Sequence, residues 1–353
     1  MQTIRVGLVG CGRNSENHLR VYARTPGVRL VAVYDLETAR AEERRRRFGV
    51  ERVSETYDAL LGLDLDLIDI VTPTPTHADL AVRALESGHN VLVEKPMALT
   101  SLECLDMMGA SRRSGRTLCV AHNKKFYDAI LRTKTVVERE ALRVSRMRVT
   151  HFFIFGDTRP EWILTEESGG VLWEALVHHA YLLQYFLGPT ERVHAIAKRI
   201  RHPVLDSITL LLESRDGPGI GEYERFAKAP LLTFQLFTED GDRFDGDLFD
   251  DFVARWSGRV PMGTPRYVRR FTRDLAVPFL KWQGRIQQQQ VLPSYGPVTP
   301  YKRTFVLLIW NLLSFLRGER PTPPVSAEEG LESIRVLEAA RESIQMGGPC
   351  SVA

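Results

Sequence analysis

The sequence predicts an α/β protein whose first domain has a mainly parallel sheet and whose second, α+β domain has a mostly antiparallel one. The length of 353 residues corresponds to about two domains at roughly 150 residues each. Over the first third of the chain, strand-like segments alternate with helical ones, as in βαβ units. Beyond about residue 123, strand-like segments follow one another with turn signals between them, which is typical of antiparallel strands.

The first domain is predicted from five short apolar segments rich in β-branched residues. They lie at residues 3–9, 28–34, 67–71, 90–93 and 118–121, with helical segments at 37–47, 77–86 and 102–112. Parallel neighbours need such crossover connections, so these strands are expected to form one parallel sheet.

The second domain is predicted from five further strand-like segments and two helices. The strands are expected at 141–155, 192–200, 206–213, 221–228 and 231–237. A nearly all-apolar helix is expected over 170–187 and a final helix over 326–345. Ser326 is the expected N-cap of the final helix, because Glu328 and Glu329 in its first turn suit the helix dipole.

The composition excludes several classes of protein. With 44% hydrophobic and 26% charged residues, the chain is an ordinary globular one and not wholly disordered. A net charge of +3 is too balanced to indicate a nucleic-acid binder. The four cysteines have neither the density nor the spacing of a disulfide framework or zinc site. The apolar run over 305–316 is too short to span a bilayer and no signal peptide is visible, so a cytoplasmic location is expected.

A glycine turn at Gly10-Cys11-Gly12 follows the first predicted strand. Gly10 allows the tight turn, and Gly12 lets the backbone approach a pyrophosphate at a helix N-terminus. Ser15 stands at the third glycine position of the usual fingerprint. Asp35 closes the second strand, where an acid binds the ribose hydroxyls and repels a 2′-phosphate. The first domain is therefore predicted to be a Rossmann dinucleotide-binding domain that prefers NAD to NADP.

Several motifs together resemble the glucose–fructose oxidoreductase / inositol dehydrogenase / MocA (Gfo/Idh/MocA) family. The most specific is Glu94-Lys95-Pro96, directly after the strand at 90–93. The others are the run from Thr72 to His77, the glycine turn with His18, the run from Ala121 to Phe126, and Pro323-Pro324-Val325-Ser326. The resemblance is close over 3–128, fair over 141–215, good over 312–345 and poor over 216–300.

This resemblance implies a Rossmann domain over 1–122 and, over 123–353, a domain with a large, open, mostly antiparallel sheet. The helix over 326–345 is a candidate to pack back on the Rossmann domain. The implied activity is NAD(P)-dependent oxidation or reduction of a secondary alcohol on a sugar, inositol or similar polyol, in a homodimer or homotetramer. Together with the glycine turn it implies cofactor contacts from Gly10, Gly12, Arg13, Asn14, Asp35, Thr72, Pro73, His77, Glu94 and Lys95. Lys95 matches the lysine that contacts the substrate hydroxyl.

The helix over 170–187 matches the family's second-domain motif, in which an Asp precedes the proton-accepting His by four residues. Glu174 and His178 stand at these positions. An apolar helix should be buried, and Glu174, His178, Tyr181 and Tyr185 fall within a narrow arc of it. A Glu174–His178 hydrogen bond would raise the basicity of the imidazole. We therefore expect His178 to be the general base, with Lys95 stabilising the alkoxide and Glu174 orienting His178 or contacting the substrate.

Some roles stay open at this point. The expected substrate contacts are Lys95, His122, Lys125, Glu174, His178 and Tyr181. For His178 and the tyrosines the alternative is a structural role in the core, for His122 a satisfied residue at a strand end, and for Lys125 simple exposure. No metal is expected, although Glu174 and His178 with His122 or His151 have metal-ligand character.

Two basic segments also allow more than one interpretation. Arg44 to Arg47 follow Glu42 and Glu43, and they are expected to form the solvated face of the second helix. The atypical segment within 260–300 holds six basic residues and one acid between 266 and 285. It suits an anionic substrate, an acidic membrane surface or a partner subunit, or it is an insertion with a solvated basic face.

The leading functional prediction is an NAD-dependent dehydrogenase or ketoreductase acting on a sugar, nucleotide-sugar or cyclitol. A redox-cycling lyase or glycosidase with retained NAD is the first alternative. A non-catalytic NAD-binding sensor is the second, and the paired Lys95 and His178 argue against it. A nucleic-acid role is the least favoured.

Overall fold

The computed structural model describes residues 3–154, 165, 168–200, 204–257 and 298–352. The basic segment between 266 and 285 lies outside these residues. No helix in the described ranges is long and apolar enough to cross a membrane.

The first domain is a six-stranded parallel sheet with the order β3-β2-β1-β4-β5-β6. Its strands are β1 Ile4–Val9, β2 Val28–Tyr34, β3 Arg52–Val53, β4 Leu67–Ile70, β5 Asn90–Val93 and β6 Leu118–Val120. Its helices are α1 Ser15–Tyr22, α2 Thr38–Phe48, α3 Tyr57–Leu61, α4 His77–Glu86 and α5 Ser101–Ser114. Strand order reverses between β1 and β4, and an open parallel sheet forms its ligand crevice at such a point.

The second domain is an eight-stranded mixed sheet with the order β13-β12-β11-β7-β10-β9-β8-β14. Among the described strands, β7 and β10 pair in parallel and the other neighbours pair antiparallel. The strands are β7 Val144–Ile154, β8 Thr190–Lys198, β9 Ser207–Ser214, β10 Gly217–Ala227, β11 Leu231–Thr238, β12 Arg243–Asp247, β13 Phe252–Trp256 and β14 Cys350–Ser351. The helices are α6 Asp128–Arg139, α7 Gly170–Leu187, α8 Pro300–Leu316 and α9 Ala327–Met346.

The predicted fold class is confirmed, and the differences lie in elements that the sequence analysis did not predict, among them helices α6 and α8 and strands β12 and β13. Strands β3 and β14 have two residues each, which is too short to carry an apolar periodicity. Helix α7 has the predicted bounds and is buried on nearly all sides. Helix α9 begins after the predicted N-cap, where the Ser326 hydroxyl accepts from the Glu329 amide and the Glu329 carboxylate accepts from the Ser326 amide.

Helices α8 and α9 connect the two sheets. Helix α9 packs against α7 and β8 on one side and against α5 and β6 on the other. The Ser101 amide donates to Glu338 of α9 at 3.0 Å. Helix α8 packs on α1, and Arg317 just beyond its end donates to the carbonyls of Pro26 and Gly27. Helix α9 therefore holds α7 and β8 against the Rossmann domain, while α8 packs along α1 of that domain.

Close packing at Gly330 gives a stability prediction. A Cβ on Gly330 would lie 2.5 Å from the Met97 sulfur and 2.9 Å from a Val120 methyl. We expect Gly330→Ala to destabilise the protein by about 1–3 kcal/mol through overpacking, although alanine is the better helix former. The matched variant is Gly109→Ala in α5, where the new methyl meets one guanidinium nitrogen of Arg113 at 3.1 Å. Urea unfolding midpoints should fall for Gly330→Ala and hold or rise for Gly109→Ala; equal midpoints would contradict this account of the packing.

Candidate active site

A cleft of about 1660 Å³ opens at the carboxyl ends of β1, β2, β4 and β5 and extends to α7 and β7. Small-molecule sites usually have volumes of roughly 300–1,000 Å³, so this cleft has room for a dinucleotide and a second molecule. Eleven of the expected site residues line it, namely Gly10, Gly12, Arg13, Asn14, Asp35, Thr72, Pro73, Glu94, Lys95, Glu174 and His178. His77, His122, Lys125 and Tyr181 are not part of its lining.

The glycine turn has the conformation that a dinucleotide needs. Gly10 has φ +93°, and a Cβ there would lie 2.7 Å from the Val71 backbone. A Cβ on Gly12 would meet no atom within 4 Å, so the space beside this residue is open for a ligand. Asp35 accepts from the Cys11 amide at 2.6 Å, which fixes the turn to the end of β2.

Ser15 and Arg44 complete the same turn. The Ser15 hydroxyl donates to the Gly12 carbonyl at 2.6 Å and accepts from Arg44 at 3.1 Å. Arg44 also donates to the Gly12 carbonyl at 3.4 Å and pairs with Glu16. The expectation of a wholly solvated arginine face on α2 is therefore wrong for Arg44, because its guanidinium turns inward to buttress the glycine turn.

A buried hydrogen-bond network lies behind the cleft. The ring of His18 donates to Asp69 at 2.8 Å and to Glu94 at 2.9 Å. The Tyr22 hydroxyl also donates to Asp69, and the Asn14 amide donates to Glu94 at 2.7 Å. Burial opposes the charged imidazole, but the two carboxylates outweigh it and raise the pKa of His18 to about 10. His18 is therefore an imidazolium that holds the Glu94 carboxylate in the cleft.

Lys95 and Glu174 form an ion pair between the two domains. The Lys95 ammonium donates to the Glu174 carboxylate at 2.6 Å and to its carbonyl at 3.3 Å. The two side chains are 14% and 12% exposed, so both reach the cleft. The expected Glu174–His178 hydrogen bond is thus wrong, since the carboxylate is bound to a cation from the first domain.

His178 has a different partner on its own helix. Its Nδ1 lies 2.7 Å from the Tyr181 hydroxyl oxygen, and this oxygen accepts from the Lys124 amide at 3.2 Å. Burial, with the nearby charges of Lys124 and Lys95, holds the pKa of His178 well below its usual value. The expectation of a more basic imidazole is therefore wrong. A neutral ring faces the cleft at neutral pH.

Three of the expected contacts lie behind the cleft. His77 is buried and bonds the carbonyls of Pro96 and Thr72, which joins the two loops along the cleft. His122 is fully buried, its ring nitrogens have no partner among the described residues, and its ring stacks on Tyr181. Lys125 is buried, pairs with Glu329 and lies over the Tyr185 ring.

The cleft also contains residues that sequence reasoning did not assign to the site. Lys124, Tyr127 and His151 line its inner end, where the Lys124 ammonium lies 3.4 Å from His151 Nδ1. Lys124 belongs to the run from Ala121 to Phe126 that carried the family resemblance, so this run could have indicated it. His151 was named only for its metal-ligand character, because its place in the cleft follows from the pairing of β7 within the second sheet. Within the described part of the chain, no group of three His, Cys, Asp or Glu side chains has a metal-binding arrangement.

Comparison with known proteins assigns the family. The model described as "Oxidoreductase family, NAD-binding Rossmann fold" matches residues 4–122, and the GFO/IDH/MocA C-terminal domain matches residues 130–242. The chain belongs to the Gfo/Idh/MocA family. As a member it is an oxidoreductase whose first domain is of the NAD-binding type, and the predicted family is confirmed.

Relatives of this Gfo/Idh/MocA protein include the uncharacterized oxidoreductase YrbE of Bacillus subtilis, 27% identical over 99% of this chain and 96% of that one. A second is scyllo-inositol 2-dehydrogenase (NAD(+)) of the same species, 29% identical over 52% of this chain and 54% of the relative. For the latter, as for D-apiose dehydrogenase of Paraburkholderia graminis, the match spans little more than half of the relative's length.

Solved structures share the fold over the whole chain. An oxidoreductase domain protein from Kribbella flavida has a TM-score of 0.86 at 19% identity, and both chains are fully covered. GenD2 from gentamicin A biosynthesis, solved in complex with NAD, has a TM-score of 0.80 at 22% identity, with 100% of this chain and 97% of that one covered.

The His18 network predicts a loss of stability in alkaline solution. Because the pKa of His18 is raised in the folded state, its contribution is complete below about pH 6.5 and is lost as the pH rises through about 10. The free energy of unfolding of the wild type should therefore decline between these values. His18→Gln should lack this part of the decline. Urea unfolding at a series of pH values measures both slopes, and parallel slopes would show that His18 is not charged in the folded protein.

Proposed function

We propose that the protein is an NAD-dependent dehydrogenase that interconverts a secondary alcohol and the ketone of a sugar, nucleotide-sugar or cyclitol. One observation carries this proposal: Lys95 from the first domain and His178 from the second line the same cleft as the glycine turn. A cation and a neutral imidazole are the two groups that alcohol oxidation needs beside the reacting oxygen. The named activities of the inositol and apiose dehydrogenase relatives support the substrate class.

The residues present fit an NAD molecule. The open space beside Gly12 and the N-terminus of α1 suit a pyrophosphate. Asp35 lies at the end of β2, where its carboxylate suits the ribose hydroxyls. Thr72, Pro73 and Glu94 line the part of the cleft that leads to Lys95. When bound, the nicotinamide ring supplies the acceptor or donor of the hydride.

Lys95 is suited to stabilise a developing alkoxide. Its ammonium is oriented by Glu174 through contacts with both the carboxylate and the carbonyl of that residue. A charge held in place before the reaction stabilises the transition state without reorganisation. Glu174 stands where the motif of the Gfo/Idh/MocA resemblance has an Asp, and its carboxylate contacts Lys95 and not His178.

His178 is suited to exchange the hydroxyl proton. Its low pKa keeps the ring neutral at neutral pH, so the ring holds a lone pair for the proton that leaves the alcohol. In the reverse direction the same group returns a proton to the oxygen of the ketone. The pairing of Lys95 and His178 in one cleft argues against a sensor that only binds NAD.

The role of His178 predicts a specific kinetic defect. His178→Ala should lower turnover of the alcohol substrate by about 10²–10⁴-fold while the Kd for NAD changes little, since the glycine turn is untouched. The matched control is His194→Ala on β8, a residue outside the cleft lining. Turnover is followed as NADH formation over a panel of polyols and sugars, and NAD binding by calorimetry. Full turnover in His178→Ala would remove this residue from the acid/base role.

The role of Asp35 predicts a change in cofactor preference. Asp35→Asn removes the charge that would repel a 2′-phosphate, so the preference for NAD over NADP in kcat/KM should fall by roughly tenfold, which corresponds to about 1.4 kcal/mol. Asp106→Asn on the exposed face of α5 serves as the control. An unchanged preference would mean that other groups around the ribose select the cofactor.

A further inference from the structure

We propose that Tyr181 is a positioning residue: its phenolic hydroxyl donates to Nδ1 of His178 and thereby places the ring proton of the resting imidazole on Nε2. The proposal rests on the proposed function, because it concerns the group assigned there as the acid/base. It gives Tyr181 a role other than the substrate contact expected from the sequence.

The Tyr181 oxygen has two hydrogen-bond partners. The Lys124 backbone amide is a donor only, so at 3.2 Å the phenolic oxygen must accept from it. The other contact of this oxygen is His178 Nδ1 at 2.7 Å. Among the described residues, the Tyr181 oxygen has no other hydrogen-bond contact. Because a buried O–H without an acceptor is unfavourable, the proton points to Nδ1.

The ring of Tyr181 is held by its burial and by contacts with two histidine rings. Tyr181 is 3% exposed, and its ring stacks on His122 with centroids 4.1 Å apart and planes 14° apart. The ring of His178 meets the Tyr181 ring edge-on at 5.6 Å. The phenol thus has one well-packed position in which its oxygen stays within reach of both partners. This also gives the buried His122 a function, which is to support the face of Tyr181.

A neutral imidazole carries one proton, on one of its two nitrogens. If Nδ1 accepts a hydrogen bond, the proton is on Nε2. The Nε2 atom has no hydrogen bond to a described residue, and His178 lines the cleft. The resting cleft therefore offers hydrogen-bond donors from both Lys95 and His178, which suits the oxygen of a carbonyl group.

Proton acceptance from an alcohol needs the other tautomer. Nε2 must release its proton to solvent and Nδ1 must take one up from solvent, after which Nδ1 donates to the Tyr181 oxygen and the phenolic proton loses its acceptor. The ring gains and loses one proton, so its net charge is unchanged. The hydroxyl of Tyr181 therefore opposes the tautomer required for alcohol oxidation and favours the one that binds a ketone.

Burial and the basic groups around the ring keep it in its neutral form. These groups are Lys124 after β6, Lys95 after β5, His151 on β7 and His179 on α7 itself. Glu174 is bound to Lys95, so it does not supply a proton acceptor to the imidazole. Tyr181 is thus the contact that selects between the two neutral tautomers.

Nitrogen NMR of the resting protein tests the proposal directly. The protein is labelled with ¹⁵N-histidine, and the His178 signals are assigned as those that disappear in His178→Gln. We expect a pyridine-type shift at Nδ1 and a pyrrole-type shift at Nε2 in the wild type. In Tyr181→Phe the Nδ1 shift should move, because it loses its donor. A protonated Nδ1 in the wild type, or an Nδ1 shift unchanged in Tyr181→Phe, would overturn the proposal.

Kinetics supply a second readout that a purely structural role would not change. Loss of the donor destabilises the neutral ring, so the acidic limb of the kcat/KM profile should move to higher pH in Tyr181→Phe. Tyr185→Phe removes the same atom one turn further along α7, outside the cleft, and should leave the limb in place. Equal profiles for the two variants would contradict the proposal.

The NMR experiment uses no substrate, so it tests the Tyr181–His178 hydrogen bond separately from the acid/base role of His178. Full activity of His178→Ala with the expected tautomer would refute the acid/base role and leave the Tyr181 hydrogen bond standing. Loss of activity in His178→Ala together with a protonated Nδ1 in the wild type would support the acid/base role and refute the proposed direction of the Tyr181 hydrogen bond.

Discussion

The ion pair between Lys95 and Glu174 is the interaction on which the arrangement of the site depends. Lys95 follows β5 of the parallel sheet, and Glu174 lies in the first half of α7 in the other domain. Their bond joins the side of the cleft that carries the glycine turn to the side that carries His178. The Glu174 carboxylate binds Lys95, and the hydrogen-bond partner of His178 Nδ1 is Tyr181. We propose that the Tyr181 hydroxyl thereby decides which nitrogen of the imidazole carries the proton. Helix α9 packs on both domains and α8 packs on α1, and these contacts hold the domains in the relative position that the Lys95–Glu174 pair requires.

The two sides of the cleft differ in their electrostatics. Behind the side formed by the first domain, the carboxylates of Asp69 and Glu94 contact His18 and keep that ring charged. On the other side, burial and the lysines hold the pKa of His178 low and keep its ring neutral. The two histidines thus have opposite protonation, because carboxylates outweigh desolvation at His18 whereas lysines add to desolvation at His178. One fixes a carboxylate, and the other is available for proton exchange.

The sequence was sufficient to predict the fold class, most of the strands and the residues of the glycine turn. These follow from local patterns: β-branched runs, a glycine turn after a strand, and an acid at the end of β2. It was also sufficient to place Glu174 and His178 on one buried helix. It could not identify the partner of Glu174, because helical spacing relates Glu174 to His178 and says nothing about a lysine 79 residues earlier in the chain. The inward position of Arg44 and the place of His151 in the cleft were missed for the same reason, since both depend on long-range packing.

The central claim is that the cleft moves a hydride between a polyol carbon and nicotinamide. The most direct measurement is the fate of deuterium: wild-type protein is incubated with NAD and a panel of cyclitols, sugars and nucleotide-sugars that carry deuterium on each secondary alcohol carbon. Mass spectrometry then reads the NADH. The account predicts NADH that carries one substrate deuterium for each ketone formed. Absence of NADH across the panel, or NADH without deuterium, would contradict it.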